Sequence, residues 1–178
     1  MAARSKFTLF ASNPAAEADF AAIYQAELPR VYNFFRYRFG DDRLAEDLTS
    51  TTFEKAWRNR LRYRRDLSAF STWLFNIARR VATDHYRKTR YEISVDELDH
   101  LPTADLTEDL AQQSADFARL SFLLARLADR DRELVALKYG AGLTNRTIAG
   151  LTGLSESNVG VIFYRLVNNL REQWEQEP

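Results

Sequence analysis

The sequence predicts an all-α protein: two small helical domains joined by a flexible acidic linker, the C-terminal one containing a helix-turn-helix. Three observations predict it. Apolar residues recur at three- and four-residue spacing along most of the chain. Gly and Pro are scarce, 6 and 4 in 178 residues, so few positions interrupt those patterns. Charge is sorted into blocks although the net charge is zero: residues 55–90 carry eleven basic and two acidic side chains, and 91–131 carry three and ten. The flanking blocks are nearly balanced, with six basic and eight acidic in 1–54 and five of each in 132–178. A net of +9 confined to one block suits a local polyanion-binding surface in an otherwise balanced molecule.

Taken in order, residues 1–14 read as a flexible tail. The first domain, 15–90, opens with Phe20, Ile23, Tyr24, Leu28, Val31, Phe34, Phe35 and Phe39 at helical spacing. Pro29 falls inside that pattern and predicts a kink or a break into two helices. Gly40-Asp41-Asp42 is turn chemistry. A second helix, about Leu44 to Arg58, carries Leu48, Phe53, Ala56 and Trp57 at helical spacing. Asn59 to Leu67 is a connector, and Asp66 or Ser68 is suited to N-cap a helix running to about Arg87. Residues 91–108 hold several carboxylates, no cation and Pro102, the composition of a linker.

The second domain, 109–178, begins with the stripe Phe117, Leu120, Leu123, Leu124 and Leu127. A helix with Leu134, Val135 and Leu137 closes at Gly140-Ala141-Gly142. Leu143-Thr144-Asn145 leads into a short helix, Gly153-Leu154-Ser155 turns, and a last helix runs from Glu156 to about Trp174. Ala149, Gly153, Val159 and Ile162 fit a helix-turn-helix: a small contact residue, a turn glycine and two core pins. A plain four-helix packing unit is the alternative.

Composition excludes several classes. Without Cys there is no disulfide framework and no thiolate metal site, which fits a reducing compartment. No apolar run approaches the roughly 18–20 residues that span a bilayer. The patch Phe7–Ala11 is shorter than a signal-peptide core, so a cytoplasmic protein without membrane insertion is expected. His85 and His100 have no metal-ligand spacing around them, and Asp84 and His85, as helix neighbours, point to different faces. Asp41-Asp42 reads as capping chemistry. No phosphate loop or nucleophile motif is present, so no enzyme, metal or cofactor is expected.

What remains is recognition. Arginines interleaved with Phe70, Trp73 and Phe75 suit nucleic acid, because cations meet phosphates and flat rings stack on unpaired bases. A solvated basic helix pair with a ringed core is the competing reading.

These blocks together resemble a bacterial sigma factor of the extracytoplasmic-function group of the sigma-70 family. LPRVYNFFRYRFGDDRLAEDLTSTTFEKAWRN is similar to its core-binding region. AFSTWLFNIARRVATDHYRKTR is similar to its promoter-melting and −10-reading segment, and LADRDRELVALKYGAGLTNRTIAGLTGLSESNVGVIFYRLVNNLRE to its −35-reading domain. The resemblance implies that 15–90 is sigma region 2 and 109–178 is sigma region 4. Asp47, Leu48, Thr51, Phe53 and Trp57 then fall where the family docks on the clamp helices of core RNA polymerase. Arg62, Arg64, Arg65, Ser68, Phe70, Trp73, Asn76, Arg79, Arg80, Arg87 and Lys88 fall where it captures and reads −10 DNA, Phe70 and Trp73 matching its F-x-x-W pattern. Trp73 is expected to be buried more than it stacks, since Leu74, Ile77 and Ala78 share its helix. The −35 candidates are Asn145, Arg146, Ser155, Glu156, Ser157, Asn158, Tyr164 and Arg165. Partners implied are core RNA polymerase, promoter DNA and an anti-sigma factor.

One stretch departs from the family. Its recognition helix commonly reads V-K-S-R-L-H-R-A-R, whereas Val159 to Val167 here reads VGVIFYRLV and keeps only Arg165 as a cation. Each lost phosphate contact lowers the salt slope by about one unit. Two other functions stay open at this point: a stand-alone helix-turn-helix regulator that does not bind polymerase, and a sigma-like interaction module without DNA readout.

Overall fold

The computed structural model describes residues 14–63, 69–92 and 108–176. The expectations for the N-terminal tail, for Arg64, Arg65 and Ser68, and for the acidic linker lie outside these residues. Described are α1 (Pro14–Phe39), α2 (Asp42–Asn59), a 3-10 turn (Arg60–Arg62), α3 (Phe70–Glu92), α4 (Glu108–Ala125), α5 (Asp129–Val135), α6 (Asn145–Thr152) and α7 (Glu156–Gln176). The fold is all-α, as its periodicity requires.

α1 runs through Pro29 as one helix, so of the kink or break expected there the break into two helices does not occur. Pro29 is exposed, and so is Gln25, whose carbonyl loses its intrahelical donor. Water can satisfy that carbonyl, so the proline costs less here than in a buried helix. Gly40, at φ +73°, ends α1, its N–H donating to the Arg36 carbonyl at 2.8 Å. Asp41 then caps α2 by accepting from the Leu44 N–H at 2.8 Å.

α1, α2 and α3 bury one side of each helix against the others. Val31, Phe34 and Phe35 meet Ala45, Leu48, Phe53 and Ala56, and Leu74, Phe75, Ala78 and Val81 close the core. Phe34 sits edge-to-face with Phe35 at 5.1 Å and with Phe75 at 5.9 Å. The buried hydroxyls of Thr49 and Thr52 donate back to the carbonyls of Ala45 and Leu48, so neither is left unsatisfied.

In the second half α5 passes into a π turn, Ala136–Gly140. Thr144 caps α6 by accepting from the Thr147 N–H at 3.2 Å, and Gly153, at φ +74°, closes it. The left-handed conformation of Gly153 is what lets the chain reverse within three residues into α7. Thr144→Ala is expected to cost about 1 kcal/mol in chemical denaturation, while Thr144→Ser keeps the hydroxyl and most of the stability. Equal losses for both variants would show that the methyl group, and not the cap, matters.

The two halves pack together, an arrangement the periodicities left open. α1 lies along the π turn so closely that a Cβ on Gly140 would stand 2.6 Å from the Asn33 carbonyl oxygen. Arg38, 4% exposed, donates to the Asp129 carbonyl and, at 2.9 Å, to Asp129 Oδ2. Arg30 Nε donates to the Ala141 carbonyl at 2.9 Å, and the Arg36 guanidinium lies 3.6 Å from the Phe117 ring centre. Apolar burial makes one continuous core across both halves, and arginines of α1 stitch its edge.

Candidate nucleic-acid interfaces and docking face

The acidic start of α2 shapes the first surface. Glu46, Asp47 and Ser50 are exposed, whereas Leu48 and Phe53 are 8% and 5% exposed. Phe53 packs edge-to-face on Tyr24 at 4.6 Å. Leu48 and Phe53 therefore turn mainly into the core of this half. Of the five candidates Asp47, Thr51 and Trp57 retain accessible surface. Arg60 lies over the Trp57 ring at 3.8 Å and donates to its carbonyl, so part of the indole is already covered. Beside this face Leu28, Pro29, Tyr32, Glu46, Thr49 and Ser50 line an open, mainly apolar pocket of about 330 Å³. The Tyr32 hydroxyl is pushed up from its ordinary pKa, first by burial and then by the charge and hydrogen bond of Asp42. It stays a protonated donor at neutral pH.

The second surface belongs to α3 and the turn before it. Successive helical residues are 100° apart, so Asn76, Arg80, Thr83 and Arg87 fall on one stripe, and all four are exposed. Lys88 flanks the stripe and is exposed, while Asp84 is held by Lys55 at 3.4 Å. At the N-terminal end of α3 the rings of Tyr63, Phe70 and Trp73 form a triangle with centres 5.2–5.3 Å apart. All three rings are half-buried, so each is partly packed and partly available for stacking. Arg62 is exposed at the edge of this cluster. Tyr63 was not among the sequence candidates; its position in a run of arginines offered only a weak signal.

Arg79 is turned away from this stripe. Its Nε donates to Glu133 Oε1 at 2.9 Å and its guanidinium also bonds the Leu151 carbonyl. Arg79 thus joins α3 to the second half, and it can reach DNA only after leaving both partners. Glu133, a residue of an unremarkable charged run, is a partner that sequence periodicity had no means of finding.

The third surface is the helix-turn-helix, α6 and α7. Val159, Phe163 and Leu166 turn α7 inward; Ser157, Asn158, Val161, Tyr164 and Arg165 face solvent. Ser155 is occupied as the N-cap, accepting from the Asn158 N–H at 3.2 Å. Arg146 pairs with Glu156 at 3.3 Å, both largely exposed, a contact worth little in water. Asn145 accepts from Lys138 Nζ at 2.8 Å. Val161, 48% exposed, was absent from the sequence candidates because a valine in an amphipathic helix reads as core.

Residues 23–91 match Sigma-70 region 2, and residues 117–169 match Sigma-70, region 4. The chain is 32% identical over 160 residues to the ECF RNA polymerase sigma factor BldN of Streptomyces coelicolor, covering 88% of this chain and 61% of BldN. It is 30% identical over 161 residues to the ECF RNA polymerase sigma factor SigK of Mycolicibacterium vanbaalenii, covering 85% of this chain and 78% of SigK. Its fold is similar to the sigma factor RpoE from Bartonella quintana in complex with the anti-sigma factor NepR, with a TM-score of 0.67 at 22% identity. That alignment covers 90% of this chain and 99% of RpoE.

Proposed function

We infer the function from descent: the chain belongs to the sigma-70 family of RNA polymerase sigma factors, in the extracytoplasmic-function group. We propose that it binds core RNA polymerase, selects promoters by their −10 and −35 elements, and opens the duplex for initiation. Bond-making is left to the polymerase. One observation carries the proposal: an exposed basic stripe beside a cluster of three aromatic rings coexists in this chain with a separate helix-turn-helix, an arrangement suited to an unpaired strand and a duplex. A stand-alone duplex-binding regulator needs only the second.

In this reading residues 15–90 act as region 2 and 109–178 as region 4. Asp47, Thr51 and Trp57 dock on a basic helical partner surface, to which the exposed carboxylates of α2 are complementary. Opening the duplex costs a few kcal/mol per step, and stacking on Tyr63, Phe70 and Trp73 offsets that cost. Asn76, Arg80 and Arg87 follow the phosphates of the strand so released. The relatives' group, and the assembly of RpoE with NepR, support control by an anti-sigma partner.

Run-off transcription with the purified chain, core RNA polymerase and genomic promoter fragments tests the proposal. Discrete start sites that require the chain are expected. Trp57→Ala should weaken polymerase binding by about 1–2 kcal/mol, as truncation of an interface tryptophan does, with circular dichroism melting separating this from lost stability. Arg80→Ala should reduce open-complex formation several-fold and leave docking intact. Loss of docking in Arg80→Ala would contradict its assignment to DNA.

A further inference from the structure

The solvent face of α7 carries little charge where a DNA-reading helix would ordinarily present cations. Angular position along the helix puts Ser157, Val161 and Tyr164 at its centre, spaced i, i+4, i+7 and opposite the buried Val159, Phe163 and Leu166. Val161 is 48% and Tyr164 72% exposed. Asn158 and Arg165 flank this stripe on one side, seven residues apart and both exposed. On the other side Glu156 lies against Arg146, and the space over Gly160 opens toward the Asn145 amide, 3.8 Å from where a Cβ would stand. The first turns of α7 therefore offer one free amide, one hydroxyl and one branched aliphatic group to a groove floor. No lysine or arginine stands within the first two turns.

Base edges in the major groove differ in what they ask of a side chain. Guanine is most often read by Arg or Lys on O6 and N7, adenine by Asn or Gln on N6 and N7, and thymine by an apolar contact to its methyl. Arg165, three turns in at the flank, suits a phosphate and Tyr164 can bond another. We propose that α7 reads the upstream promoter element as A·T base pairs, with Asn158 on an adenine edge and Val161 on a thymine methyl. This rests on the sigma-factor reading above, and it names what that site recognises.

Promoter fragments with start sites mapped as above provide the test. A duplex library keeps the downstream sequence of one such fragment and randomises eight base pairs upstream; it is selected with the full chain bound to core polymerase. An A·T-rich upstream word is expected. Replacing its thymines singly by uracil removes only the methyl, and at one position should weaken binding by about fourfold, the effect of one buried methyl-sized group. That loss should vanish in Val161→Ala, and Asn158→Ala should lose about tenfold in preference for adenine at one position. A selected word anchored on guanine and dependent on Arg146 or Arg165 would overturn the inference. So would equal uracil effects in the parent chain and Val161→Ala. Mapped starts without any enriched upstream word would overturn it while leaving the proposed function standing; absence of chain-dependent starts would remove that function itself.

Discussion

Gly140→Ala should loosen the packing of the two halves while leaving each half folded. The added Cβ would meet main chain, the Asn33 carbonyl oxygen at 2.6 Å and the Phe34 Cα at 3.2 Å, and main chain inside a packed helix does not step aside. The π turn and α1 must therefore separate by several tenths of an ångström along their shared line. Overpacking of this kind costs typically about 1–3 kcal/mol, and here nearly all of it falls on the interface between the halves. Because that penalty falls on the closed arrangement alone, it raises the population of chains whose halves have parted; small-angle scattering should show a larger average radius of gyration, and far-ultraviolet circular dichroism should show unchanged helix content. An unchanged radius and melting midpoint would mean that the close approach is not what holds the halves together.

The same substitution has a functional reading. In the packed state Arg79 is bonded to Glu133 and to the Leu151 carbonyl, so one cation of α3 is withdrawn from the DNA-facing set. Separation of α3 from α6 returns it. Gly140→Ala is thus expected to raise the affinity of the isolated chain for single-stranded DNA, with Arg79→Ala cancelling that gain in the double variant. A gain that survives the removal of Arg79 would have to come from another cation.

What the sequence revealed and what it hid follow from the range of each interaction. Asp41 and Gly153 were legible because a cap or a left-handed turn is a matter of three or four neighbouring residues. The helix-turn-helix was legible for the same reason, its small residue, turn glycine and core pins lying within fourteen positions. Leu48 and Phe53 were ambiguous because an apolar side chain on an amphipathic helix looks alike whether it meets its own core or a partner. Pro29 misled because its cost depends on whether water reaches the carbonyl of Gln25, which no local pattern reports. The contacts between the halves were hidden altogether. Arg38 with Asp129 and Arg79 with Glu133 join residues 91 and 54 positions apart, and nothing in either local sequence marks a partner.

Arg38 supplies the sharper energetic test of that interface. Its side chain is 5% exposed, whereas that of Asp129 is 65% exposed, so the two partners stand in very different dielectric surroundings. The guanidinium is held by the carbonyl and carboxylate of Asp129 and by the Tyr86 ring at 5.0 Å, and its Nε has no partner among the described residues. Removing the carboxylate leaves a buried cation short of its counter-charge, whereas removing the cation leaves only a carboxylate that water already reaches. Asp129→Ala should therefore destabilise the chain by about 1–3 kcal/mol, below the full cost of breaking a wholly buried pair because one partner is solvated. Arg38→Met, which keeps much of the apolar stem, should cost less. The double variant should be more stable than Asp129→Ala alone, a non-additivity that denaturant titration of all four chains would measure. Additive losses would place the stabilisation in the packing of the Arg38 stem, and the ion pair would then be incidental to the union of the two halves.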